Sequence, residues 1–126
     1  MTKNKTNLGK KLAVIVIVIV IVIFVALFLY SNDYYRSEVG IDDYAVSSDY
    51  TIDEFKHGIF IDGNGNEDAV IFYPGAKVEY TSYLPLCIKL AEQGVDCFLV
   101  EMPFHLAIFG MSKAANIMGN YSYDNW

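Results

Sequence analysis

Residues 69–100 read AVIFYPGAKVEYTSYLPLCIKLAEQGVDCFLV and hold two short apolar runs on either side of a helical pattern. The first run, residues 69–73, is apolar on both faces, which favours a central strand covered by helices. Residues 81–93 repeat apolar side chains at helical spacing and predict a helix. Residues 95–100 predict the next strand. A strand, helix and strand in this order form one right-handed crossover, which is typical of an α/β fold with a mostly parallel sheet.

The flanks of this unit add a strand before it and a helix after it. Residues 59–61 are a short apolar run, and residues 62–66 carry both Asp-Gly and Asn-Gly turn signals. Taken locally, this turn predicts a hairpin in which residues 59–61 pair directly with residues 69–73. Residues 112–118 predict a further helix. The chain therefore reads as an α/β domain with few strands, which looks incomplete for independent stability.

Toward the N-terminus, residues 12–30 carry no charge. As a helix they would be about 28 Å long, close to the roughly 30 Å hydrocarbon core of a bilayer. Residues 14–23 alternate Val and Ile, which in water would favour a strand. Inside lipid the helix is favoured, because an open strand leaves backbone N–H and C=O groups unpaired.

The charges on either side of this run indicate its orientation. Four lysines and no acid precede residue 12, whereas fifteen acids and five bases follow it. The net charge is therefore +4 before the apolar run and −10 after it. The positive-inside rule then predicts an uncleaved signal anchor at residues 12–30, with residues 1–11 in the cytoplasm. Residues 31–50 are interpreted as a juxtamembrane linker and residues 51–126 as the extracytoplasmic domain. A cleaved leader is the alternative, although residues 27–32 lack a small-x-small cleavage pattern.

Composition excludes other classes of protein. The 126 residues are 54% hydrophobic with a net charge of −6, which suits at most one modest domain beside the apolar segment. An acidic chain with nine Lys and Arg offers no basic stripe for phosphates, so we expect no nucleic-acid partner. Two cysteines are too few for a disulfide framework.

Isolated reactive side chains give little indication of chemistry. His57 and His105 lack Cys or His neighbours at metal-ligand spacing and are interpreted as ordinary loop histidines. Cys87 and Cys97 are interpreted as small buried apolar residues. Residues 62–68 superficially resemble a calcium loop but lack the later glutamate, so no metal and no cofactor is expected.

Three separated motifs resemble the N-terminal part of a bacterial α/β-hydrolase domain. They are residues 71–78 (IFYPGAKV), residues 83–94 (YLPLCIKLAEQG) and residues 98–107 (FLVEMPFHLA). The branch of the family that they resemble has a Pro-Gly sequence in the loop where many esterases and lipases have His-Gly. The similarity covers roughly residues 44–126, and the three motifs occur in order.

The resemblance implies an oxyanion-hole donor in the loop after residue 73. It places that donor on the backbone N–H of Ala76, with Gly75 permitting close approach. The alternative is a purely structural role, in which the Pro-Gly turn only ends the strand. The resemblance also implies that residues 95–100 lie between residues 59–61 and residues 69–73, in conflict with the local hairpin. We adopt the family order, which leaves the far edge of residues 69–73 unpaired and open to self-association.

The resemblance requires a Ser in a G-x-S-x-G elbow, followed by an acid and a His. No serine here has that context, so no catalytic residue is assigned and the chain is expected to be inactive alone. Three interpretations stay open: an N-terminal fragment of a membrane-anchored serine hydrolase, a membrane-tethered interaction module without enzyme activity, and a small secreted protein with a cleaved leader. An acyl substrate is expected only if a C-terminal part completes the domain, and the bilayer is the expected partner of the anchor.

Overall fold

The computed structural model describes residues 3–44, 47–65 and 67–126, and of residues 3–6 only the backbone. Residues 1 and 2 of the predicted basic segment, Ala45 and Val46 of the predicted linker, and Asn66 of the predicted turn lie outside the described residues. The chain divides into two compact units, residues 1–33 and 34–126.

The first unit is a single helix, α1, from Lys3 to Asn32. Its stretch Asn7–Asn32 contains an 18-residue window with a mean hydropathy of 3.8, and no residue of that window is buried. The Val and Ile alternation is therefore helical, as the bilayer argument predicts. By length and composition α1 can cross a membrane, and an N-terminal signal sequence would satisfy the same criteria.

The second unit is a four-stranded sheet with helices packed against it. Its strands are β1 Thr51–Phe55, β2 Gly58–Asp62, β3 Ala69–Phe72 and β4 Asp96–Val100. Its helices are α2 Leu84–Ala91, which follows a short 3-10 turn, and α3 Lys113–Asn120. The strand order is β1-β2-β4-β3.

This sheet confirms the α/β class but is mixed where a mostly parallel one was predicted. Among the described strands only β3 and β4 run parallel, since β1 pairs antiparallel with β2 and β2 antiparallel with β4.

The antiparallel part begins with a hairpin that the sequence patterns do not predict. β1 reads TIDEF, which has no apolar run, and it turns tightly into β2 through Lys56 and His57. Gly58 follows with φ +148°, where a Cβ would collide with the carbonyl oxygen of Leu99.

The local hairpin prediction is wrong and the family order is confirmed. Phe60 of β2 and Ile71 of β3 both pair with Phe98, from opposite sides of β4. The turn signals after β2 are real, but they direct the chain across the end of α2. There the N–H of Gly63 donates to the buried carboxylate of Asp96 at 2.9 Å.

Strand β4 is the centre of the unit, with all five residues buried. Cys97 and Leu99 face α2 and form one core cluster with residues of β2 and that helix. Phe98 and Val100 face the other way and pack with Met102 and Ile117. β3 lies at the edge of the described sheet, as the family order predicts for this chain, and beyond Ala69 it is only half-buried.

Candidate functional site

The loops that follow β3 and β4 meet at the carboxyl edge of the parallel pair. In open α/β sheets this is the edge where ligands bind. The first loop, residues 73–79, contains the predicted oxyanion segment. The second, residues 101–112, contains His105. A backbone hydrogen bond from the N–H of Lys77 to the carbonyl oxygen of His105, 2.9 Å long, joins the two loops.

Gly75 and Ala76, the predicted oxyanion residues, are both exposed, whereas Pro74 before them is buried. The N–H of Gly75 donates to the hydroxyl of Tyr83 at 3.3 Å. The N–H of Ala76 makes no hydrogen bond to any other residue that the structure describes. This backbone donor is therefore exposed and has no acceptor among the described residues.

Lys77, directly after Ala76, has φ +59°, an uncommon conformation for a residue with a side chain. Two backbone groups hold it there, because its N–H donates to His105 and its carbonyl oxygen accepts from the N–H of Tyr35 at 2.8 Å. Left-handed backbone at non-glycine residues persists where the surrounding structure determines it, and such residues concentrate at ligand clamps and active sites.

The segment just after the apolar helix forms part of this site. Besides its bond to Lys77, Tyr35 accepts from the N–H of Glu79 at 2.9 Å, so that it pairs with the loop on both sides of Val78. The carboxylate of Glu79 in turn accepts from the N–H of Ser37 at 2.8 Å. Tyr35 and Ser37 lie in the predicted juxtamembrane linker, and no local pattern signals such a long-range backbone pairing.

His105 has an unusual environment for a loop histidine. Its ring stacks on that of Tyr34, with centroids 3.7 Å apart and planes 16° apart. Its backbone has φ +55°, and Phe104 before it has φ +54°. Among the residues that the structure describes, the buried Nδ1 of His105 finds no hydrogen-bond partner. No pattern in the sequence predicts that His105 lies beside the Pro-Gly loop.

Tyr73 connects the end of β3 to the start of α3. Its hydroxyl donates to the carbonyl oxygen of Gly110 at 2.8 Å and accepts from the N–H of Ala114 at 2.8 Å. A single half-buried side chain therefore fixes the second loop relative to the first.

The other candidates lie away from this edge or are structural. Cys87 and Cys97 are fully buried in one core cluster, as predicted, and the hydrogen bond with Cys87 together with burial raises the pKa of the Cys97 thiol. His57 lies in the β1–β2 turn. Asp62 caps its own turn by accepting from the N–H of Asn64 at 2.8 Å. Within the described ranges, no three His, Cys, Asp or Glu residues come together as metal ligands would.

Comparison with known proteins gives one match. The profile of the alpha/beta hydrolase family matches residues 69–126, the part of the chain from β3 onward. Curated proteins and solved structures give no match to the chain. The matched residues include both loops of the carboxyl edge, and the match supports a hydrolase-like fold.

Proposed function

We propose that this chain is the N-terminal half of a membrane-anchored α/β-hydrolase domain and that its Pro-Gly loop supplies an oxyanion-hole donor for acyl hydrolysis. The family match over residues 69–126 and the strand order β2-β4-β3 support the assignment. The apolar helix α1 supports the anchor. The substrate is an ester, amide or similar acyl compound outside the cell.

The observation that carries the proposal is a parallel bridge between Asp68 and Asn125. The N–H of Ala69 donates to Asn125, whereas the carbonyl oxygen of the preceding Asp68 accepts from Asp96 on β4. Because successive residues of a parallel strand pair to opposite sides, Asn125 lies on the side of β3 away from β4. A strand continuing from Asn125 would run parallel to β3, in the position where the hydrolase fold needs the strand that leads to the nucleophile elbow.

The chemistry of the proposed site is divided between the two halves. The N–H of Ala76 would stabilise the tetrahedral oxyanion, and one such donor is worth about 10²–10³ in rate. Nucleophile, base and acid would come from the second half. No serine of this sequence stands in a G-x-S-x-G context, and none hydrogen-bonds a histidine within the described ranges.

A serine-reactive fluorophosphonate probe and an ester substrate test the division directly. The full chain in detergent should show neither labelling nor turnover above a heat-denatured control, because the oxyanion donor alone has no nucleophile to assist. Labelling that disappears when one serine is changed to alanine would contradict the proposal.

A second candidate function, pairing with another chain, is favoured by the edge of β3. Beyond Ala69 the far edge of this strand has no neighbour among the described strands, and a half-buried apolar edge is a template for another strand. Translating the DNA that follows the codon of Trp126 in all three frames distinguishes the hydrolase from the pairing module. A G-x-S-x-G motif within a short distance favours the hydrolase, and its absence favours the pairing module.

A further inference from the structure

We infer that the loop after β4 rests in the interface of the membrane that α1 crosses, through an apolar surface formed by Phe104, Ile108, Phe109 and Met111. This inference rests on the anchor in the proposed function and goes beyond it. The four side chains, called here the 104–111 patch, are 58%, 64%, 56% and 71% exposed. Four large apolar side chains exposed within eight residues form a patch of the kind that marks an interaction surface.

The patch is uncharged, and its two aromatic rings are in contact. The rings of Phe104 and Phe109 meet edge to face with centroids 5.7 Å apart. Residues 102–112 contain no Asp, Glu, Lys or Arg, although the chain outside α1 is strongly acidic. An uncharged surface can approach a membrane at no electrostatic cost, whereas the acidic remainder would be repelled by anionic lipid.

The patch is also held in shape by the protein. The Tyr73 hydroxyl donates to Gly110 at 2.8 Å, and the N–H of His105 donates to Met102 at 3.0 Å. A Cβ on Gly110 would collide with the sulfur of Met102, so the backbone there is closely packed. The exposed side chains therefore project from a fixed loop.

The covalent chain indicates the occupant. One residue, Asp33, separates the end of α1 at Asn32 from Tyr34. Two residues of backbone span about 7 Å at most, so Tyr34 stays close to the point where the anchor leaves the bilayer. The ring of Tyr34 stacks on His105, the neighbour of Phe104 in the patch. Tyr35 is 77% exposed. Exposed tyrosines next to a membrane anchor are typical of the aromatic belt at the membrane–water interface.

Tryptophan fluorescence in proteoliposomes tests the inference. The full chain with Trp126→Phe is reconstituted in phosphatidylcholine whose acyl chains carry bromine, a short-range quencher. Three single reporters are compared: Phe109→Trp in the patch, Tyr30→Trp in α1 and Gln93→Trp. Gln93 is exposed and follows α2 at the opposite edge of the parallel pair, so it is the matched control. Ile108→Trp provides a second patch reporter.

The expected result is a loss of fluorescence at position 109, and at 108, comparable to that at position 30, with little loss at position 93. Quenching at 30 with patch reporters no more quenched than the control would overturn the inference and leave the anchor intact. No quenching at 30 would overturn both. A patch signal that depends on the protein-to-lipid ratio and not on bromine would assign the surface to a second copy and overturn the membrane assignment.

Discussion

Gly75 and Ala76 are neighbours in an exposed loop, yet only the N–H of Gly75 has a protein acceptor, the hydroxyl of Tyr83. Changing Tyr83→Phe removes that acceptor and should cost about 1 kcal/mol, the ordinary net contribution of one hydrogen bond. Amide hydrogen exchange followed residue by residue should then show faster exchange at Gly75. Ala76 should exchange rapidly in both forms. Protection of the Ala76 amide in the unaltered chain would contradict the assignment of its N–H as a free donor.

Asp96 is a buried carboxylate at the opposite edge of the sheet, 3% exposed. It accepts from the N–H of Gly63 and from the hydroxyl of Tyr123, and so fixes the segment after α3 against the start of β4. Because a buried acceptor that loses a partner is left unpaired, Asp96→Asn and Tyr123→Phe should each lower the free energy of unfolding by about 1–3 kcal/mol. Urea unfolding followed by Trp126 fluorescence checks this, and Tyr121→Phe on the exposed neighbour is the control. Additive effects in the double variant would contradict a direct bond.

The same contact sets a pH dependence. Burial, and then the hydrogen bond to Asp96, raises the pKa of the Tyr123 hydroxyl above its ordinary value of 10.0. A group whose pKa is higher in the folded state contributes stability that is complete below its unfolded value and disappears as the pH rises through the folded value. The unaltered chain should therefore lose stability above pH 10.0 relative to its Tyr123→Phe variant. Parallel curves for the two chains would show that the hydroxyl titrates normally.

At the level of elements, apolar pattern predicted the parts of the unit that depend on burial. Residues 96–100 of the predicted run 95–100 form the fully buried β4, and Gly94 after α2 has φ +83°, which its lack of a side chain permits. β1 escaped detection because its five residues alternate without an apolar run, and it is recognised only through its pairing with β2. Strand order likewise depends on long-range pairing. Taken alone, the turn signals in residues 62–66 predict a hairpin between β2 and β3, whereas β4 lies between these two strands, as the family order predicts.

The far edge of β3 makes a prediction about association. By the alternation that places Asn125 beside Ala69, the N–H of Ile71 points away from β4 and the N–H of Val70 points toward it. Ile71→Pro should therefore block pairing with another chain while keeping the β4 ladder, whereas Val70→Pro should break the ladder and unfold the sheet. Cross-linking over a range of concentrations in detergent, with circular dichroism as the folding check, measures both. Undiminished cross-linking of a folded Ile71→Pro variant would exclude this edge as the interface.

For the whole molecule, an oxyanion role for the Pro-Gly loop is predicted only through resemblance to a family, because a Pro-Gly turn has no chemistry of its own. It could not predict that Tyr35 and His105 would brace Lys77 beside that loop, since those contacts join residues far apart in sequence. Backbone pairing and ring stacking of this kind leave no periodic signal. The charge asymmetry about α1, in contrast, is visible in the sequence, and the membrane orientation that it predicts can be tested directly.

Cysteine labelling in intact cells tests the orientation of the anchor. Cys87 and Cys97 are fully buried, so an impermeant thiol reagent should leave the unaltered chain unlabelled. A cysteine in place of exposed Asp53 should react, and one in place of Asn4 should react only after the cells are opened. The reverse pattern would invert the anchor. Release of a shortened soluble product would instead identify α1 as a cleaved leader.

The central claim is that β4 lies between β2 and β3, since this order creates the carboxyl edge where the Pro-Gly loop meets the His105 loop. Nuclear magnetic resonance on the full chain in detergent micelles tests it through backbone contacts. The account predicts contacts from Phe60 to Phe98 and from Ile71 to Phe98, with none between Phe60 and Ile71. Direct contacts between Phe60 and Ile71, without contacts from Phe60 to Phe98, would contradict the hydrolase order and restore the simple hairpin.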